Sequence, residues 1–399
     1  MRANRRRDRW FPYVVIAVLL VTLAAGTINN VVRNPQPRLV SDGRPGGSAL
    51  TADSSLSSND LLHGALTDLD GLTLPNGATL AGWNGPWRYV WPRDASFVAA
   101  ARCAVGQYSQ ARDVLSFLDR VRPAAGRWEA RYTESGERVA DGREPQLDSS
   151  GWVIWAAWFC RVGDRYWELV RESADQIVAE LGRDGLPAAS PDYWERTEKT
   201  PTLGTVAPLL TGLRSAVAIA TQLGRSDDAV RWRTALERLS AATDRSFGPE
   251  YPRTPARAVG FVESGVQPVG TGGGRDAIVT VLGPPFAPAR PVVSTAIERA
   301  HAVLTQPNGG VTPGEDWRTD GVSWTPETAL FALSAAARGD QATARRLLAW
   351  LADHRTRSGA LPEKVNRDLE AAGEAPLAWT ASLVVLTDAA LRGSLPIPG

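Results

Sequence analysis

Residues 149–181 read SSGWVIWAAWFCRVGDRYWELVRESADQIVAEL, and this stretch decides the fold. Its first half, 149–162, is apolar on every side of a helix, whereas its second half, 164–181, has the spacing of an amphipathic helix. Gly163 lies between them and permits a tight turn. Because a helix that is apolar all round must be buried, the stretch predicts an inner helix covered by an outer one.

The same pairing recurs along the chain, for example at 326–338 and 340–354 around Gly339. From residue 59 to 391 the sequence predicts helices only. Repeated inner and outer helices of this kind predict an all-α fold, an α/α toroid. The predicted helices are 59–69, 95–105, 107–122, 149–162, 164–181, 205–223, 227–246, 290–304, 326–338, 340–354 and 378–391.

Long loops separate many of these helices, at 73–89, 123–147, 187–203, 250–288, 306–323 and 356–376. Loops of this length in a compact domain are usually functional. The Gly-rich loop 250–288 is expected to form a short β excursion or a mobile flap.

Composition narrows the class of protein. The 399 residues suit one large domain or two small ones, and the formal net charge of +1 predicts no nucleic-acid partner. Tryptophan (15 residues) outnumbers tyrosine (7). Bulky core packing would explain many tryptophans, but several lie in Gly/Pro-rich loops, which favours a carbohydrate cleft.

The cysteines and histidines of the sequence do not indicate a catalytic or metal-binding role. Cys103 and Cys160 lie in predicted helices, and their spacing leaves buried free thiols and a single disulfide both open. The three histidines are scattered, and no Cys/His cluster has the spacing of metal ligands. The sequence therefore predicts no metal site.

The N-terminal region predicts membrane attachment. Residues 1–9 form a basic tail, 10–32 are mostly apolar, and 33–58 are rich in Pro, Gly, Ser and Asp. A basic flank followed by about 20 apolar residues predicts a single transmembrane anchor with a cytoplasmic N-terminus. A cleaved secretory signal is the alternative. Residues 33–58 are expected to be a disordered linker, and 59–399 the catalytic domain outside the cytoplasm.

Residues 82–97, GWNGPWRYVWPRDASF, contain the most informative motif. Arg93 and Asp94 follow a proline, so they are expected in the first turn of a helix, beneath a loop with three tryptophans. Indole rings stack on sugars, and guanidinium and carboxylate groups bind hydroxyls. The alternative is an acidic residue that favours the helix dipole with an arginine counterion; this stretch favours neither.

Two further loops carry carboxylates with catalytic potential. Glu195 directly follows two aromatic residues in a Pro-bounded loop, where desolvation would suit a general acid, although this segment alone favours a surface ion pair with Arg196 or Lys199. Glu363, in the segment LPEKV, is expected to activate water, with a surface pair to Lys364 as the alternative. Two carboxylates on opposite sides of a glycosidic bond are what inverting hydrolysis needs.

Other loop residues are weaker candidates for sugar contacts. Gln146 and Asp148 precede an inner helix and are expected to face the toroid mouth. Helix capping by Asp148 or Ser149 is the alternative, and it does not account for Gln146. Glu315 and Asp316 are expected to be hydroxyl acceptors or helix-entry charges. The aromatic candidates in these loops and at the start of the last helix are Trp91, Trp128, Trp194 and Trp379.

The order of these motifs resembles glycoside hydrolase family 15, the glucoamylases and their bacterial relatives. In sequence they are Trp-Pro-Arg-Asp, Gln-Leu-Asp-x-x-Gly, Trp-Glu, Leu-Pro-Glu and Pro-Leu-Ala-Trp, spread from about residue 61 to 391. The resemblance implies an (α/α)6 toroid. It also implies exo-acting, inverting hydrolysis of α-glucosidic bonds without a cofactor.

The resemblance also implies roles for individual residues. Arg93 and Asp94 match the pair that holds the terminal glucose, Glu195 matches the general acid and Glu363 the general base. Trp91, Trp128 and Trp194 would line the pocket, and Gln146 and Asp148 would orient their neighbours. The family usually has a sugar-binding arginine where this chain has Thr312-Pro313-Gly314.

Together these observations predict a membrane-anchored, extracytoplasmic and monomeric glycoside hydrolase. Its expected substrate is an oligosaccharide or polysaccharide with α-linked glucose. Three alternatives remain: a trehalase or another enzyme on the same toroid, a catalytically inactive glycan-binding envelope protein, and a structural envelope protein.

Overall fold

The structure is a computed structural model that describes residues 58–255, 273–393 and 395–399. The predicted basic tail 1–9 and membrane segment 10–32 lie outside the described residues, as does the predicted linker except for its last residue. Residues 256–272 of the Gly-rich loop also lie outside them.

All eleven predicted helices are present in the described part of the chain. Five of them are inner helices: α2 (Pro92–Ala104), α4 (Asp148–Phe159), α6 (Leu203–Gln222), α9 (Thr325–Ala337) and α11 (Ala378–Arg392). The six outer helices are α1 (Ser58–Leu72), α3 (Tyr108–Arg120), α5 (Trp167–Glu180), α7 (Ser226–Phe247), α8 (Pro291–Leu304) and α10 (Gln341–Asp353).

The sixth inner element is a 3-10 helix, Ala277–Leu282, near the end of the loop for which a β excursion or flap was expected. For these six residues the structure replaces that expectation, whereas residues 256–272 of the loop lie outside the described residues. All six residues of the helix are buried, and the Asp276 side chain accepts a hydrogen bond from the backbone N–H of Ile278 at its start. Its sequence, AIVTVL, is apolar except for Thr280 and rich in β-branched residues, so the sequence does not distinguish a short strand from a short buried helix.

The inner elements form a closed ring. α2 contacts α4, α4 contacts α6, the 3-10 helix links α6 to α9, and α11 joins α9 back to α2. Each outer helix packs on an inner element, as α3 does on α2 and α7 on α6. α4 is buried at every residue except Trp158, whereas α3 buries one stripe of residues, as predicted for inner and outer helices. The architecture is therefore an (α/α)6 toroid.

Aromatic side chains fill the centre of the ring. Phe97 packs against Trp152, Trp155 and Phe286, with ring centroids 4.8, 5.1 and 6.0 Å away. Its other neighbour is Trp379, 5.9 Å away. These five side chains form an aromatic plug at the centre of the ring.

A disulfide joins the C-terminal ends of two inner helices. Cys103, near the end of α2, is bonded to Cys160, which follows α4, and their Cα atoms lie 5.5 Å apart. The structure thus resolves the two alternatives that the sequence left open, since proximity depends on the ring geometry and not on spacing. Of the described helices, only α6 is long and apolar enough to cross a membrane, and it is almost wholly buried among the others.

A small antiparallel sheet lies beside the N-terminal end of α9. Its strands are β1 (Ser323–Trp324), β2 (Lys364–Val365) and β3 (Ala371–Ala372), in that order. Trp324 is opposite Lys364, and Lys364 is opposite Ala372. The sheet therefore holds the loop that contains Glu363 against the start of α9.

Candidate active site

The N-terminal ends of the inner helices α2, α9 and α11 line a cavity of about 220 Å³. Loops from the same end of the toroid complete its walls. Seven of the predicted site residues line it: Trp91, Arg93, Asp94, Trp194, Glu195, Glu363 and Trp379.

Arg93 and Asp94 occupy the first turn of α2, as predicted. They form an ion pair, with Arg93 Nη2 3.1 Å from Asp94 Oδ2, and both are buried. The Arg93 guanidinium also lies over the Trp379 ring, 4.9 Å from its centroid. Burial raises the pKa of Asp94, and the Arg93 charge opposes that rise. The pair presents a fixed donor and acceptor to the cavity.

Glu195 ends a tight turn that begins at Asp192. The Glu195 N–H donates to the Asp192 carbonyl (2.8 Å), and the Trp194 N–H donates to Asp192 Oδ1 (2.9 Å). Glu195 has a φ of 54°, in the left-handed region that non-glycine residues rarely adopt. Such strain persists only where the surroundings fix the conformation, and it is common at functional sites.

A buried charge network fixes this turn. Arg253 lies 2.8 Å from Asp192 and 2.8 Å from Asp276, and all three side chains are almost fully buried. The Arg253 guanidinium also packs on the Trp194 ring, 3.6 Å from its centroid. The Tyr193 hydroxyl donates a hydrogen bond to Asp276. Because each charge has a partner, the network can remain buried while it holds the segment before Glu195.

Both carboxylate oxygens of Glu195 contact arginines. Oε1 lies 3.3 Å from Arg93 Nη1, and Oε2 lies 2.6 Å from Arg143 Nη1. Arg143 comes from the loop before α4 and is half-exposed, whereas Arg93 is buried. One arginine is thus part of the cavity wall, and the other lies at its mouth.

Glu363 is held mainly through its backbone. Its N–H donates to the Glu374 carbonyl (2.7 Å), and its carbonyl accepts from the Thr325 N–H (3.0 Å). The carboxylate is buried, with Oε2 3.2 Å from Lys364 Nζ. A Cβ at Gly373, which has a φ of 76°, would lie 2.4 Å from Glu363 Oε2. A side chain at residue 373 would therefore force the carboxylate out of the position it has here.

Ten of the residues that line the cavity were absent from the predicted site, and six of these ten have aromatic or charged side chains. They include a chain of tryptophans in which the Trp317 ring lies 4.8 Å from Trp194 and 5.4 Å from Trp324. The six are Trp87, Arg143, Tyr193, Trp317, Trp324 and Glu327.

Glu327 is the most informative of these residues. It is the third residue of α9 and is almost fully buried at the cavity floor. Burial raises its pKa to about 8. The sequence Trp324-Thr325-Pro326-Glu327 resembles Trp91-Pro92-Arg93, since both place a charged residue just after a tryptophan and a helix-starting proline. That parallel was the available signal.

Three predicted residues before or within α4 lie outside the cavity lining. Trp128 and Gln146 pair through their backbones, with the Gln146 N–H 2.8 Å from the Trp128 carbonyl. The Trp128 ring packs edge-on against Tyr132 instead of facing the cavity. Asp148 is completely buried as the first residue of α4. Burial raises its pKa to about 7, opposed by the nearby charge of Arg93.

Glu315 and Asp316 also lie outside the lining, and both are exposed. Glu315 Oε2 accepts a hydrogen bond from the Arg275 backbone N–H (2.5 Å). The loop turns so that Trp317 faces the cavity and the two acids face solvent. Thr312, where the family arginine was expected, is buried but does not line the cavity.

Comparisons with solved structures identify the fold. A glycosidase variant in complex with glucose is 20% identical, with a TM-score of 0.66 over 84% of this chain and 97% of that one. A bacterial glucoamylase complexed with acarbose is 19% identical, with a TM-score of 0.66 over 85% of this chain and 56% of that one. Glucoamylase from Saccharomycopsis fibuligera is 12% identical, with a TM-score of 0.67 over 90% and 99%.

Sequence comparison gives a weaker match. A protein described as an uncharacterized glycosyl hydrolase of Methanocaldococcus jannaschii is 24% identical over 169 residues, which are 40% of this chain. The match spans 26% of that protein's length. No protein-family model matches the chain. The comparisons confirm the resemblance that the motifs indicated: the chain has the (α/α)6 toroid fold of the glucoamylases.

Proposed function

We propose that this protein is a glycoside hydrolase that releases glucose from the non-reducing ends of α-linked oligosaccharides or polysaccharides. The observation that carries the proposal is that Glu195 and Glu363, which belong to different loops, line one cavity with tryptophan walls. The glucoamylase fold supports the reaction class, and the complexes of similar proteins with glucose and acarbose support a glucose-like ligand.

The proposed reaction is a single displacement. Glu195 gives its proton to the glycosidic oxygen as the bond from that oxygen to the anomeric carbon breaks. Glu363 takes a proton from a water molecule, whose oxygen forms the new bond at the opposite face of the same carbon. Because Glu195 must hold a proton, we expect substrate to separate it from Arg143, the more exposed of its two arginine partners.

Exo-action is supported by the aromatic plug that packs behind one wall of the cavity. Trp379 lines the cavity and packs on Phe97, which belongs to the aromatic plug. A pocket blocked from below accepts the end of a sugar chain more easily than its middle. Arg93 and Asp94, fixed beside Trp379, would bind hydroxyls of the terminal sugar.

We further propose that the protein works outside the cytoplasm, anchored by residues 10–32. The disulfide between Cys103 and Cys160 supports an oxidising compartment, because such bonds are rare in cytosolic proteins. Protease treatment of intact cells, followed by detection of the domain, tests the location. Degradation without lysis is expected, whereas full protection would contradict an outward-facing domain.

Two variants test the chemistry. Glu195→Gln and Glu363→Gln are each expected to lower kcat on an α-glucoside about 10²–10⁴-fold, because each removes one proton transfer. Glu370→Gln is the matched control, since Glu370 is exposed on the same loop as Glu363 and outside the cavity. Near-normal turnover in either cavity variant would refute the assignment.

Product stereochemistry tests the mechanism separately. NMR of the first product from an α-linked substrate should show the β-anomer if water attacks directly. Retention of the α-anomer would contradict a single displacement. A substrate panel of maltose, isomaltose and trehalose distinguishes a glucoamylase-like activity from a trehalase.

A further inference from the structure

Glu327 is a buried carboxyl group that the proposed mechanism does not use. Its side chain reaches the cavity floor from the first turn of α9, and only 2% of the residue is exposed. Its Oε2 atom is inaccessible to solvent and has no hydrogen-bond partner among the described residues. Buried polar atoms are nearly always paired, so an unpaired oxygen beside a cavity indicates a missing partner.

The surroundings of Glu327 explain why it is not simply a counterion. The charged or titratable groups that face it are Arg93 from α2, Tyr193 from the turn before Glu195, Asp276 before the 3-10 helix, and Glu363. Arg93 is already engaged by Asp94 and Glu195, and Asp276 by Arg253. The negative charges of Asp276 and Glu363 disfavour a third negative charge at Glu327.

Burial is the main cause that raises the pKa of Glu327 to about 8. The carboxyl group therefore holds a proton at neutral pH. A protonated carboxyl group has one O–H donor and free acceptor capacity. A sugar hydroxyl also donates and accepts hydrogen bonds and is uncharged, so it is a suitable partner for the protonated carboxyl group. A charged ligand would find no opposite charge on this group.

We propose that Glu327 is a specificity-determining residue whose carboxyl group hydrogen-bonds a hydroxyl of the sugar at the cavity floor. The identity of the ligand as a neutral sugar rests on the proposed function. The role of Glu327 in binding does not depend on hydrolysis, so the two are tested separately.

The first experiment measures D-glucose binding by titration calorimetry on the whole chain. Glu327→Leu should weaken binding about 10-fold or more, because a site built to bind a hydroxyl loses its partner. Glu327→Gln should stay within about threefold, since an amide also donates and accepts. Asp388→Asn is the control, because Asp388 is a partly buried acid with a raised pKa far along α11.

Deoxyglucose analogues then identify the hydroxyl. One analogue should bind wild-type protein about 10-fold more weakly than glucose does, and this difference should vanish in Glu327→Leu. Equal binding of glucose by wild type and Glu327→Leu would overturn the proposal. The proposal would also be overturned if every analogue bound more weakly than glucose by the same factor in wild-type protein and in Glu327→Leu.

The wild-type protein gives a test that needs no variant to fold. A sugar over Glu327 removes its remaining contact with water, which favours the uncharged form. Glucose affinity should therefore be constant below pH 7 and fall as the pH rises through about 8, and Glu327→Gln should lack this fall. Identical pH profiles in the two proteins would overturn the proposal. If glucose binds as predicted but no glucoside is hydrolysed, the proposed function fails and this inference stands.

Discussion

The loops that carry Glu195 and Glu363 reach the same cavity but are held by different interactions. The Glu195 turn rests on the buried side chain of Arg253, which contacts two aspartates and the Trp194 ring. The Glu363 loop rests on backbone hydrogen bonds and on the small sheet with β1. One carboxylate is thus positioned by charge pairing and the other by main-chain geometry and a glycine.

This difference matters because the two kinds of support fail in different ways. Removal of one member of a buried charge cluster leaves the others unpaired, which costs free energy of unfolding. A change beside the backbone-held loop displaces one carboxylate and leaves the fold intact. Stability and turnover should therefore separate between the two loops.

The largest effect on stability is expected from Arg253→Met. It leaves Asp192 and Asp276 buried without their counterion, at a cost of about 3–5 kcal/mol in the free energy of unfolding. Urea denaturation followed by tryptophan fluorescence measures it. Arg196→Gln is the control, because Arg196 is exposed on the same loop and its pair with Glu198 should contribute under about 1 kcal/mol. If both variants lost the same free energy of unfolding, the conclusion that buried charge pairing holds the Glu195 loop would be wrong.

The outcome for the fold shows what pattern alone can predict. Inner helices such as α4 are apolar on nearly every side and outer helices such as α3 have one apolar stripe, so composition and Gly turns were sufficient for eleven helices. The 3-10 helix Ala277–Leu282 was not predicted, because its short and mostly apolar sequence has neither helical nor strand periodicity. The disulfide was not predicted, because the ring of inner helices brings Cys103 to Cys160 and their spacing in the sequence gives no sign of it.

The site was predictable where a motif coincides with a helix start. Arg93 and Asp94 were placed from the proline before them, and the structure puts both in the cavity lining. Asp148 is in the first turn of α4, yet it does not line the cavity, because sequence does not tell which side of a first turn faces the mouth. The sequence does not single out Glu327, because an acid after Thr-Pro is also explained as a helix-entry residue.

A smaller effect, confined to turnover, is expected from Gly373→Ala. The added Cβ would lie 2.4 Å from Glu363 Oε2 and 3.0 Å from its Cβ, so the carboxylate must move. A displacement near 1 Å can lower turnover about 10²-fold. Gly106→Ala is the matched control: its φ of 78° gives the same backbone strain, but no atom lies within 4 Å of the new Cβ. Comparable kcat losses in both variants would assign the effect to strain instead.

The smallest effect is expected from Arg143→Gln, which tests whether the exposed arginine supports Glu195 or competes with substrate for it. Arg143 lies 2.6 Å from Glu195 Oε2 but is about a third exposed, so the pair should contribute under about 1 kcal/mol to stability. If Arg143 competes, its removal should raise kcat/KM at low salt, by up to about fivefold, and the gain should shrink in high salt. Arg138→Gln, at an arginine that pairs with Glu129 and is 68% exposed, is the control for loss of a surface charge. A tenfold fall in kcat/KM for Arg143→Gln would show instead that Glu195, like its turn, depends on charge pairing.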